Sequence, residues 1–194
     1  MITSLTALDG RYAGLTSDLT GIFSEYGLIR HRVKVEIEWL KFIINDLKLI
    51  KAESANIEIL DRISENFKPE DAQKVKDIEK VTNHDVKAVE YYIKDKLEAS
   101  GINHLKEWIH FACTSDDINN VSYALMLKKA KTEVLELLKL LLVDLEKKAL
   151  KYKAEAMMSR THGQPATPTT VGKEFINFAW RLNQEIHILE NKTI

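Results

Sequence analysis

The chain has 194 residues, 45% of them hydrophobic, enough to bury the core of one or two domains. Its 28 basic and 29 acidic residues leave a net charge of -1, which excludes the basic surface of a general nucleic-acid binder. A single cysteine, Cys113, excludes an intramolecular disulfide. The most apolar run, "LLKLLLV" at 137–143, is far too short to cross a bilayer.

The start, "MITSLTALDGRY", carries no signal-type segment, so the expected compartment is the reducing cytoplasm. Glycine and proline are scarce, at seven and three. That composition predicts an all-α protein. Residues 1–20 lack a period and read as an irregular arm. A helix follows in which Val33, Ile37, Leu40, Ile44 and Leu47 share one face. A second helix is expected over 54–66. A third starts near 68, with Pro69 in its first turn and Glu70 and Asp71 at the positive end of the dipole. "TNHD" at 82–85 interrupts it. A fourth helix carries Val86, Val89, Ile93 and Leu97 in register and ends at Gly101. A short helix over 104–112 leads to "CTSDDINN".

From Ser115 to about Glu155 nothing breaks the helix, a length of about 60 Å. Val134, Leu138, Leu141 and Leu145 form a stripe, and Leu135, Leu137, Leu140, Leu142 and Val143 fill most of the remaining circumference. A helix apolar nearly all round is expected to be buried nearly all round, most simply in a bundle built with other subunits. The last helix is predicted to start at Thr167–Pro168 and to present Phe175, Phe178, Leu182, Ile186 and Leu189. It runs to Ile194 without Gly, Pro or cap, which reads as a cut in a longer protein. The expected domains are 1–112, helical, and 113–194, the first part of a long-helix bundle.

Four polar segments break this helical text: "DGRY" at 9–12, "TNHD" at 82–85, "CTSDD" at 113–117 and "SRTHGQPATP" at 159–168. His162 is the sharpest candidate, because an imidazole can give or take a proton near neutral pH. Thr161 and Gln164 offer it hydrogen bonds, and Gly163 lets a substrate approach the backbone. The competing reading is a surface histidine in a plain turn. His84, between Asn83 and Asp85, can relay a proton or bind an anion, or it can simply cap a helix. Thr114 and Ser115 offer hydroxyls and free N–H groups to an anion, or serve as an N-cap. Arg11, beside Tyr12, can clamp a phosphate or carboxylate, or be an ordinary surface arginine. His31, His104, His110 and His187 read as structural. No zinc-type spacing, GxGxxG or P-loop is present.

Together, "SRTHGQPATP", "TNHDVKAVEYY", "HFACTSDDINN" and "GIFSEYGL" resemble the N-terminal part of the adenylosuccinate lyases of the fumarase/aspartase superfamily. The resemblance extends from "LDGRY" to the last helix. It implies the long-helix bundle of that superfamily and a homotetramer. It implies elimination of fumarate from adenylosuccinate and from SAICAR, with no metal or organic cofactor, no nucleic acid and no membrane. His162 would then be the general acid, with His84 as a second catalytic candidate near the phosphate or the acid. Arg11 and Tyr12 would meet the nucleotide. Asn83 and Asp85 would line the pocket, Thr114 and Ser115 would hold a carboxylate, and Thr161 and Gln164 would support the site. The family's base is a serine on an "SSxMPxKxNP"-type loop, which these 194 residues lack. The chain by itself is therefore expected to be inactive. The alternative from another class is a silent helical scaffold, distinguished by its indifference to AMP.

Overall fold

A computed structural model describes residues 3–194. The helices are α1 (Ser17–Phe23), α2 (Glu25–Asn45), α3 (Ser54–Glu65), α4 (Pro69–Thr82), α5 (Asp85–Ala99), α6 (Ser115–Lys151) and α7 (Val171–Glu190). A 3₁₀ helix covers Asn103–Trp108, and strands β1 (Ala156–Thr161) and β2 (Gln164–Thr170) form one antiparallel hairpin. The all-α reading holds, with the hairpin as its one exception among the described residues. None of the described helices is long and apolar enough to cross a membrane. The chain divides into two compact units, one ending at Leu127 and the other running Lys128–Ile194, so the division falls inside α6.

In the first unit, α2 is the central element. The Ser24 hydroxyl caps it by accepting the Gly27 N–H at 3.1 Å. Val33, Ile37 and Leu40 are fully buried, as is the α5 stripe of Val86, Val89, Ile93 and Leu97. All of these except Val86 form most of one core with Leu60, Phe67, Val75, Tyr92 and Leu105, while Val86 packs with Val35 and Ile118. Leu47 departs from expectation. It lies beyond the end of α2 and is exposed, because the chain turns at Asp46 to reach α3. The irregular arm is shorter than predicted. Turns occupy residues 3–16 and α1 begins at Ser17, while residues 1 and 2 of the expected arm lie outside the described residues.

In the second unit, α6 carries a seam of Leu135, Leu138, Leu142, Leu145 and Ala149 that is buried or half-buried. Leu138 and Leu145 of the predicted stripe lie in this seam, and the other two members do not. Val134 and Leu141 are exposed, and so are Leu137, Leu140, Val143 and Leu150. One partner helix covers one face, so the rest of this apolar circumference stays open in the single chain.

The stretch 156–170 is a larger correction. The pattern predicts a helix start at Thr167–Pro168, but both residues sit in β2. Thr161, Thr167, Thr169 and Thr170 are β-branched and favour extended backbone. Pro165 and Pro168 are tolerated because both strands of a two-stranded sheet are edges. The true cap of α7 is Thr170, whose hydroxyl accepts the Lys173 N–H at 3.1 Å. At its other end α7 stops at Glu190, with Asn191 as the capping residue, and does not run to Ile194. Lys131 and Lys139 meet that end. Lys131 Nζ donates to the carbonyls of Glu190 and Lys192, and Lys139 pairs with the Glu190 carboxylate, cations at the negative pole of the helix.

Candidate functional site

Three of the four polar segments belong to the first unit. Asn83 ends α4 in the left-handed region, at φ 51. That single residue turns the chain so that His84 is extended and caps α5. His84 Nδ1 accepts the Lys87 N–H at 3.2 Å, so the neutral ring carries its proton on Nε2. Asp85 then uses both oxygens. Oδ1 accepts the Val86 N–H at 2.8 Å, and Oδ2 accepts from Arg32 Nη2 at 2.7 Å. Burial opposes the charge on Asp85, but the Val86 N–H and the Arg32 guanidinium outweigh it and hold the carboxyl below its usual range. An open depression lined by Lys76, Glu79, Lys80, Asn83, His84 and Asp85 surrounds this point. Capping and a polar pocket are thus combined in the same residues.

At the start of α6, the Thr114 N–H and hydroxyl both donate to Asp117 Oδ2, at 2.7 and 2.9 Å. These bonds, the backbone one first, hold the Asp117 carboxyl below its usual range. The helix start is therefore occupied by its own aspartate, and an anionic ligand of Thr114 competes with Asp117. Ser115 is the first residue of α6 and is half-buried. In the arm, Arg11 lies over the Tyr12 ring with its guanidinium carbon 4.7 Å from the centroid, and Nη2 donates to the Tyr12 hydroxyl. Both residues are exposed.

Arg32 is the residue that sequence reasoning missed. Its guanidinium is buried, donating through Nη2 to Asp85 and through Nε to Asn119 Oδ1 at 2.8 Å. One side chain of α2 thus ties the start of α5 to the first turns of α6, bringing "TNHD" and "CTSDDINN" together within the first unit. The signal was present in the spacing. Ile29, Arg32, Val33, Glu36, Ile37 and Leu40 step by three, one, three, one and three, so two charges occupy core positions of an apolar stripe.

His162, Thr161 and Gln164 belong to the second unit. Thr161 and Gln164 face each other as the closing rung of the hairpin. The turn between them is two residues long, with φ 51 at His162 and 77 at Gly163. Two positive values mark the primed turn that matches the twist of a hairpin. Thr161 and Gln164 are expected from the sequence to offer hydrogen bonds to His162. The structure gives them this backbone role and sets the exposed His162 at the tip.

Cys113 is half-buried. Burial, and then the charges of Glu36 and Asp117, push its thiol up to about 11, which leaves it a weak nucleophile near neutral pH.

Comparison with known proteins adds the family. The adenylosuccinate lyase of Buchnera aphidicola subsp. Schizaphis graminum is 46% identical over 194 residues, covering 97% of this chain and 42% of that protein. The adenylosuccinate lyase of Escherichia coli strain K12 is 46% identical over 198 residues, covering 100% of this chain and 43% of that protein. The chain thus spans less than half the length of these relatives. Among solved structures, a fumarate lyase from Mesorhizobium sp. BNC1 superposes with a TM-score of 0.75 at 18% identity, covering 90% of this chain and 39% of that one. A β-carboxy-cis,cis-muconate cycloisomerase from Acinetobacter calcoaceticus sp. ADP1 gives 0.71 at 20% identity, covering 90% and 40%. At such identities these two establish the fold alone. Residues 10–193 match the profile of the family described as Lyase, and the chain belongs to that family.

Proposed function

We propose that this chain supplies the N-terminal part of an adenylosuccinate lyase that releases fumarate from adenylosuccinate to give AMP, and from SAICAR to give AICAR. The observation that carries the reading is the likeness of 46% to lyases of that name, extending through the "SRTHGQPATP" hairpin. In the reaction a base removes a proton from the succinyl Cβ, and the electron pair is held on the neighbouring carboxyl as an aci-carboxylate. The C–N bond then breaks as an acid protonates the departing nitrogen.

His162 is our candidate for that acid. It is exposed at the tip of the hairpin, and imidazole is the side chain best suited to proton transfer near neutrality. His84 is the second catalytic candidate, with Nδ1 engaged in capping α5 and Nε2 left to carry the ring proton. Arg11 and Tyr12 are assigned to the phosphate, and Asn83 and Asp85 to the pocket wall. Thr114 and Ser115 are assigned to a carboxylate, and Thr161 and Gln164 to supporting the hairpin tip. The base is assigned to no residue of this chain. By itself the chain is expected to release no fumarate.

The exposed apolar faces of α6 and α7 support assembly into a larger bundle, which we propose to be a homotetramer. A division at 112/113, between a helical N-terminal domain and the first part of that bundle, is part of the same reading. The single cysteine supports a cytoplasmic location.

The test is fumarate release from adenylosuccinate by the natural gene product containing this chain, beside His162→Ala and His162→Asn. Asparagine suits the left-handed turn position, so that variant keeps the hairpin. A loss of about 10²–10⁴-fold in both variants is expected for a general acid. If both keep most of the rate, the acid lies elsewhere. No fumarate from the wild type overturns the lyase reading and favours a helical scaffold, which the same apolar faces would also suit.

A further inference from the structure

Glu36 is fully buried in α2, and both of its oxygens are taken by one residue 74 positions away. Oε2 accepts the His110 N–H at 3.1 Å, and Oε1 meets His110 Nδ1 at 2.6 Å. One turn along α2, Trp39 Nε1 donates to the Phe111 carbonyl at 2.8 Å. The backbone grasped in this way is strained. His110 has φ 60 and Ala112 φ 58, two left-handed non-glycine residues within three positions. Cys113 follows, packed against Val35, Val86 and Ile118, and Thr114 opens α6 immediately afterwards.

A buried carboxyl–imidazole pair is a poor way to gain stability alone, since apolar residues of similar volume commonly do as well. A bidentate carboxylate does something apolar contacts cannot. It selects one backbone conformation and one ring orientation. Released from it, His110 and Ala112 would relax toward ordinary φ values. The Thr114–Ser115 helix start, only four residues beyond His110, would shift with them.

We propose that Glu36, acting through His110, is a positioning residue that sets the Thr114–Ser115 helix start for substrate; its effect on catalysis rests on the lyase reading above. Glutamine at this position keeps the clasp. Its amide oxygen accepts the His110 N–H, and its NH₂ donates to Nδ1 once the ring proton moves to Nε2. Leucine removes both bonds at nearly constant volume.

The experiment compares wild type, Glu36→Gln and Glu36→Leu in the natural gene product containing this chain, with two readouts. The first is amide hydrogen exchange over 110–118, which needs no activity. The second is the KM and kcat of fumarate release per folded enzyme. Glu36→Leu is expected to speed exchange across 110–118 at least about tenfold, with α3 and α4 unchanged, and to raise KM about tenfold or more. Glu36→Gln is expected to stay near wild type in both. If Glu36→Leu fails to fold, Trp39→Phe removes the second tether, and a rise in exchange confined to the same segment is expected. Wild-type exchange in the tested variant overturns the inference, as does faster exchange with unchanged kinetics, or a Gln variant as impaired as Leu. If the wild type releases no fumarate, the lyase reading fails, and exchange over 110–118 still supports or overturns the clasp.

Discussion

Arg32 shows what a single misplaced charge on a helix can organise. Its buried guanidinium holds Asp85 and Asn119 at hydrogen-bond distance, although they lie 53 and 87 positions away. Arg32→Met is expected to lower unfolding free energy by about 1–3 kcal/mol, the usual cost of stripping buried polar groups of a partner. Urea unfolding monitored by circular dichroism measures it, and an unchanged midpoint contradicts the account. Gly163 makes a different residue-scale case. A Cβ there meets open space, but φ 77 is strained for any other side chain. Gly163→Ala is therefore expected to cost about 1 kcal/mol through backbone alone, readable as a drop in melting temperature. In the sequence Gly163 reads as room for a substrate to approach the backbone, and Arg32 carries no assigned role. A glycine announces its freedom locally, whereas the meaning of Arg32 depends on which residues come to face it.

Helix α7 begins where the chain must pass close to the end of α6. A Cβ on Gly172 would lie 2.4 Å from the Ala149 carbonyl and 2.6 Å from the Lys153 backbone. The Gly172 N–H donates to the Tyr152 carbonyl at 2.9 Å, so the two backbones are nearly in contact. Gly172→Ala is expected to destabilise by about 1–3 kcal/mol, as overpacking does when the obstacle is backbone. Thermal unfolding reports it, and a neutral result would mean that this junction yields. Helix positions were readable from period and capping residues, since α3, α4 and α5 depend on local spacing. The hairpin was not readable, because Pro and Thr in "PATPTT" suit a helix start as well as an edge strand. The phase of α6 was hidden for a related reason. With leucine on almost every face, only the partner helix decides which leucines form the seam.

Across the whole molecule, partly buried ion pairs tie stability to acidity. Burial opposes the charges of Asp71 and Glu90, but Lys74 and Lys96 outweigh it at the first, and Lys87 and Lys94 at the second. Asp85 behaves likewise beside Arg32. A carboxyl held below its ordinary value stabilises the fold above that value and loses the contribution as pH falls through the lowered one. With ordinary values of 3.8 and 4.5, the melting temperature is expected to fall steeply below about pH 4. Glu36 runs the other way. Burial raises its carboxyl despite His110, so its ionised form weakens the fold at neutral pH. Melting curves from pH 7 to 3 test this, and a flat profile would remove these pairs from the account.

By itself the sequence determined the helical class, most helix positions and the polar segments where chemistry concentrates. These follow from short-range rules: side-chain period, capping, and the scarcity of glycine and proline. Tertiary structure alone decided that α2 anchors two of those segments through Arg32 and Glu36, that the His162 segment is a hairpin, and which face of α6 is covered. Each of those depends on groups tens of residues apart becoming neighbours. A buried charge is stable only where its partners arrive, and a leucine joins a core only where another helix meets it.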